Sequence, residues 1–189
     1  MKITASSLKI LAVLAALLAV AACNPIAKDA KSQSMLIVES ITGTTIAGDS
    51  GLILESDVST TTSDSATVTL QAALLNPNSV SGPSQYNDVT VTGYKIDYTL
   101  PDGTGEPGVT VPSSIEGTSS SLLVKIGESK TIDFVAVLAA AKVNPPLNAY
   151  LGSTAPHQII AHCTFTGVDG TNKPVTGKGQ LTIIFADYN

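Results

Sequence analysis

The sequence predicts an all-β fold, two packed antiparallel sheets of about seven to nine short strands. Three observations carry that expectation. From Met35 onward, apolar residues recur at every second position, the period of a strand with one buried face. Clusters of Gly, Pro, Asn and Asp separate these runs at the spacing a sandwich requires. Strands do not alternate with long helices, so a parallel sheet is not expected.

The region ahead of the strands has a different character. Met1 to Lys9 carries Lys2 and Lys9; Ile10 to Val20 is unbroken Leu, Ala, Val and Ile; Ala21, Ala22 and Cys23 follow. The apolar run is about half of the roughly 20 residues that a membrane-spanning helix needs. A basic start, a short apolar middle and small residues at the exit read as a secretion signal over residues 1–22. Residues 24–34, "NPIAKDAKSQS", have no period. Together with Cys23 they read as a flexible tether (23–34) with a typical span of roughly 18 Å. The sandwich is expected over 35–189.

The strands then follow in order. Met35 to Ile41 and Leu52 to Val58 are weakly patterned strands. In "SATVTLQAALL", Ala66, Val68, Leu70, Ala72 and Leu74 alternate with Thr67, Thr69, Gln71 and Ala73. "TGYKIDYTL" places Tyr94, Ile96, Tyr98 and Leu100 opposite Lys95, Asp97 and Thr99. "SLLVKI" contributes Leu122, Val124 and Ile126, and "TIDFVAVL" contributes Ile132, Phe134, Ala136 and Leu138. A short helix is expected around Pro145 to Leu151, since proline at a helix start lacks only an N–H that would be unpaired anyway. "QIIAHCTF" puts Ile159, Ala161, Cys163 and Phe165 on one face, and "GQLTIIF" does so for Leu181, Ile183 and Phe185. Long loops are expected at Asn76 to Asp88 and Asp102 to Glu116.

Two stretches carry resemblances. "VAAC", residues 20–23, resembles the lipobox of bacterial lipoproteins. That resemblance implies cleavage before Cys23, a thioether-linked diacylglycerol on its sulfur and acylation of the new amino terminus. More than one acyl chain gives a durable anchor where one gives a marginal hold. Asn24 at the next position implies an outer-membrane destination, facing the periplasm or the cell surface. "VTGYKIDYTLPDG", residues 91–103, resembles strand C and the following turn of fibronectin type III and related immunoglobulin-like sandwiches. "LLNPN", residues 74–78, resembles a strand end of LEA14-like sandwiches. Both imply an immunoglobulin-like sandwich and transfer no functional residue.

Charge sets limits on partners. The chain holds ten Lys, no Arg and fifteen acids, a formal net charge of -5. Removing Lys2 and Lys9 with the leader leaves eight Lys against the same fifteen acids, or -7. Without arginine forks or a basic face there is no footprint for nucleic acid. An acidic body is repelled by anionic lipid, so acyl chains rather than charge must hold it to a membrane.

The search for reaction chemistry finds little. Cys163 reads as a small buried hydrophobe. His162 falls on the opposite face of the same strand, so the two diverge and make a poor nucleophile–base pair. His157 reads as a loop residue at the start of that strand. Spacings for zinc, an EF-hand, a P-loop or a dinucleotide fingerprint do not occur, and Asp102 and Glu106 read as solvated turn acids. No catalytic residue, cofactor or metal is expected. Cys23, as a lipidation site, is the one functional residue assigned. The expected function is that of a non-enzymatic, membrane-anchored envelope module for interaction or assembly with an envelope protein. A carbohydrate-binding or adhesin-like surface domain is the alternative, with Tyr86 and Tyr150 as free rings, and a hydrolase is the remote one.

Overall fold

Alternation of apolar with Thr-rich positions from Ser34 to Ala186 builds nine strands among the described residues. They are β1 (Ser34–Thr44), β2 (Ser50–Gly51), β3 (Ile53–Asp57), β4 (Asp64–Leu74), β5 (Val89–Thr99), β6 (Ile115–Val124), β7 (Ser129–Val137), β8 (His157–Asp169) and β9 (Pro174–Ala186). The structure is a computed structural model that describes residues 31–78 and 83–189. The predicted signal peptide (1–22), Cys23, most of the tether and part of the loop Asn76 to Asp88 therefore lie outside the described residues. The strands form a four-stranded sheet, β2-β1-β4-β7, and a five-stranded sheet, β3-β9-β8-β5-β6. The all-β, two-sheet expectation holds.

The core is the set of inward positions that the period-two reading picks out. Val68, Leu70 and Ala72 of β4 are completely buried, as are Ala161 and Phe165 of β8 and Ile183 and Phe185 of β9. Each large side chain of this kind stabilises the fold by about 1.5–3 kcal/mol relative to exposure. Tyr94, Phe134 and Phe165 meet across the sheets, with Phe134 edge-on to both others at 5.4 and 5.3 Å. Two polar ties also join β5 to β7. The Tyr98 hydroxyl donates to the Ala136 carbonyl at 2.7 Å, and the Val135 N–H donates to the Tyr94 oxygen at 3.2 Å. Burial first, and then the neighbouring Cys163, Tyr94 and Asp97, push the Tyr98 phenol well above its usual range. A register shift between Val91 and Gly93 moves the inward set of β5 from Val89 and Val91 to Ile96 and Tyr98, as a β-bulge does.

Several expectations are corrected. The sandwich is not wholly antiparallel: β3 runs parallel to β9, from Ile53 opposite Thr182 to Asp57 opposite Ala186. After β2 pairs with β1 the chain changes sheets at Leu52 and arrives beside the last strand without a hairpin. Its direction is set by where it came from, which side-chain alternation does not encode. β6 begins at Ile115, so the long loop ends earlier than Glu116, because Ile115 to Thr118 pair with Ile96 to Gly93. That Ser/Thr/Gly run has no apolar alternation to announce it. Leu138 is 41% exposed because β7 ends at Val137 and the chain turns there into a one-turn helix, α1 (Ala139–Lys142). Within the segment where a short helix was expected, a 3-10 turn spans Leu147–Tyr150 with Pro146 as its N-cap.

Candidate functional site

Strand registers divide the functional candidates between two ends of the sandwich. Ser34 pairs with Leu74, Val89 with both Asp169 and Val124, and Val168 with Pro174. The start of β1, the 3-10 turn Gln85–Asn87, the β6–β7 turn and the β8–β9 turn thus share one end, here the near end. The loops after β1, β3, β5 and β7 share the far end. The two long loops singled out from the sequence consequently sit at opposite ends rather than on one surface.

At the near end the first described residues are clamped by polar contacts. Asp169 closes the β8–β9 turn: its Oδ1 accepts the Thr171 N–H at 2.8 Å, the Thr171 hydroxyl at 2.6 Å and the Lys173 N–H at 3.0 Å. Its Oδ2 accepts the Ser32 hydroxyl at 2.7 Å. The Ser34 hydroxyl donates to the Asn87 carbonyl at 2.6 Å, fastening the same segment to the 3-10 turn. Burial pushes the Asp169 carboxyl up, but the donors from Ser32, Thr171 and Lys173 outweigh it and hold the group at about 2, below its ordinary 3.8. A carboxyl depressed by folding contributes stability above its unfolded value and loses it as pH falls towards the folded one. Asp169→Asn should therefore cost about 1–2 kcal/mol at pH 7. The difference from wild type should shrink between about pH 4 and pH 2, read by urea denaturation across that range.

Beside this clamp is an open groove of about 700 Å³, lined by Gln85, Tyr86, Asp88, Leu123, Lys125 and Gly170. Its walls are held together by close backbone packing. A Cβ on Gly170 would lie 2.6 Å from the Gln85 carbonyl oxygen, so only glycine lets the β8–β9 turn lean on the 3-10 turn. Tyr86 and Leu123 remain 60% and 49% exposed along it.

The far end holds a buried polar cluster. Lys142, at the end of α1, is 1% exposed. Its Nζ reaches both Asp64 oxygens at 2.9 and 3.0 Å and donates to the Thr60 hydroxyl at 2.9 Å. The Ser56 hydroxyl donates to Asp64 Oδ2 at 2.6 Å. Ser56 is itself fully buried, Asp64 is partly exposed, and the four groups satisfy one another. They fasten α1 to the β3–β4 connection.

The outer face of the five-stranded sheet carries His162, as the alternation required. Gln180 Nε2 lies 3.1 Å from its Nδ1 and Thr99 Oγ1 lies 2.9 Å from its Nε2. With the Gln180 amide donating to Nδ1, the ring keeps its proton on Nε2 and donates to Thr99. In that arrangement the hydroxyl is an acceptor and the imidazole is not its base. Nearby, the Ser114 hydroxyl donates to Asp97 at 2.6 Å and Lys95 lies 3.1 Å away. The Ser114 bond, then Lys95, hold the Asp97 carboxyl below its usual value against the upward push of partial burial. Asp97, His162 and Gln180, with Thr164 and Lys178, rim a shallow depression of about 480 Å³.

The remaining candidates are placed as follows. His157 is the first residue of β8 rather than a loop residue, and its ring stacks on Tyr150 at 3.7 Å and 6°. Tyr150 is therefore not a free platform, while Tyr86 is. Asp102 accepts the Thr104 N–H and hydroxyl in its turn, at 2.9 and 2.7 Å. Among the described residues no group of three or more His, Cys, Asp and Glu converges as a metal-ligand set, and no helix is long and apolar enough to cross a membrane. Cys163 is 1% exposed, and burial pushes its thiol up to about 12. Maleimide should therefore label Cys163 of the folded domain only slowly, and promptly once urea unfolds it, as read by intact mass. Sequence reading misses the Asp169 clamp and the Lys142 cluster; "VDGTNKP", residues 168–174, reads only as one of the Gly, Pro, Asn and Asp clusters that separate strands.

No family model matches this chain, and no curated protein does. Among solved structures it is similar to the crystal structure of a Bordetella pertussis protein designated ApaA. The TM-score is 0.41 and the identity 12%, over 85% of this chain and 99% of that one.

Proposed function

We propose that the protein is a cell-envelope lipoprotein, anchored through Cys23, whose sandwich acts as a non-enzymatic interaction or structural module. The observation that carries this reading is "VAAC" at the end of a basic, then apolar, then small-residue leader, the arrangement expected of a processed and acylated secretion signal. The sandwich forms a compact unit over Ser32–Asn189, with its first residues clamped by Asp169 and Asn87. A domain so fastened at its beginning suits attachment from that side. The non-enzymatic reading is supported by the fully partnered His162 and by the buried state of Cys163.

The immunoglobulin-like assignment belongs to the same proposal. With β1, β4 and β7 lettered A, B and E, and β5, β8 and β9 lettered C, F and G, the orders A-B-E and G-F-C match the two sheets of an immunoglobulin sandwich. β6 then takes the added place beside C. Such domains present loops and sheet edges to partners, and β6 and β7 are both edge strands here. The test is Cys23→Ala in cells fed a radioactive fatty acid. Label and membrane association should both be lost, and retention of either would remove the lipoprotein reading.

A further inference from the structure

The near end differs from the far end in a way that bears on how an anchored domain would stand. Large apolar side chains are exposed at both ends: Tyr86 (60%), Leu123 (49%) and Leu75 (63%) at the near end, from which the chain leaves towards Cys23, and Ile46, Val109, Val143 and Leu151 at the far end. What separates the two ends is charge: at the near end Lys125, Lys130 and Lys173 offset Asp88, Glu128 and Asp169. At the far end the acids Asp49, Asp57, Asp102, Glu106 and Asp187 have one lysine for company among the described residues, Lys142, and that one is buried against Asp64. Apolar side chains interleaved with lysine suit the headgroup region of a bilayer, whereas unneutralised acids are repelled by anionic lipid.

Chain length adds a second constraint. Nine peptide steps separate Cys23 from Ser32, a reach of at most about 30 Å. The longest strands, of 13 residues, make the sandwich roughly 40 Å tall. A chain that joins the domain through the Ser32–Asp169 clamp therefore holds the near end closer to the attachment point than the far end can come without toppling. We infer that the near end is a membrane-seating surface. The groove rim of Tyr86, Leu123 and Lys125 lies in the headgroup layer of the bilayer that carries the Cys23 anchor, and the acidic far end points away. This inference rests on the lipoprotein reading above.

The chain contains no Trp, so single tryptophans report on it without background. Full-length acylated protein with Tyr86→Trp or Leu151→Trp would be reconstituted into phosphatidylethanolamine–phosphatidylglycerol vesicles containing bromine-labelled acyl chains. A seat about 5–10 Å deep should shift the Tyr86→Trp emission to the blue and remove roughly half of it, leaving the Leu151→Trp emission unchanged. An acylated, floating protein whose residue-86 tryptophan stays unquenched, or whose residue-151 tryptophan is quenched instead, overturns the orientation alone. A blue shift without bromine quenching that grows with protein concentration would assign the surface to a second copy of the chain, and also overturns it. A protein that carries no acyl mass and does not float overturns the lipoprotein reading, and the orientation with it.

Discussion

Lys142→Ala should lower the stability of the sandwich by about 3–5 kcal/mol, with a fall in Tm of roughly 10 °C or more. The wild-type ammonium has no contact with solvent and three oxygens around it, two from Asp64 and one from Thr60. Removing it leaves the Asp64 carboxylate, whose side chain is 19% exposed, with the Ser56 hydroxyl as its remaining close partner. The cost is chiefly that of a stranded charge rather than of a lost attraction. The double variant Lys142→Met with Asp64→Asn should therefore lose less than the sum of its single changes, because no charge then remains buried and Ser56 keeps an acceptor. A urea-denaturation cycle reads the coupling directly. A single-variant loss within about 0.5 kcal/mol, the range of ordinary surface changes, would contradict a structural role for the cluster.

Gly43→Val should cost about 3 kcal/mol, at the upper end of what overpacking usually does. On β1, a Cβ at residue 43 would meet the Leu54 Cα at 2.6 Å. Backbone cannot rotate away as a side chain can, so either β1 or β3 must move. That contact closes one edge of the sandwich, where the chain has just crossed from one sheet to the other. Gly51→Ala is the matching control, since a Cβ there meets nothing within 4 Å. Its effect should stay within about 0.5 kcal/mol. Equal losses in the two variants would mean that the crossing tolerates a wider gap than the structure has.

Both sites show what the sequence leaves unread. Lys142 sits in "LAAAKVN", where a lysine after three alanines has the pattern of an exposed helix end. Its partner Asp64 lies 78 residues away, inside a Ser/Thr-rich run that reads as a loop. Ser32 and Asp169 are 137 residues apart, and nothing local to either announces the other. By contrast, alternation sets Cys163, Ile159 and Phe165 inward, as the structure has them, because it is a property of the strand alone, whatever it packs against. It sets His162 outward for the same reason. What alternation could not supply was that Gln180 and Thr99 would stand on either side of the ring.

The sequence by itself therefore determined the all-β class, the inward faces of β4, β8, β9 and the second half of β5, and the burial of Cys163. Each of these follows from a two-residue period and needs no partner to be named. Tertiary structure alone decided the parallel seat of β3 beside β9, the enclosure of Lys142 by Asp64 and Thr60, and the clamp that joins Ser32 to Asp169. Those features depend on contacts between residues far apart in the chain. Such contacts are set by the order in which strands enter the sheets, which no local pattern of side chains specifies.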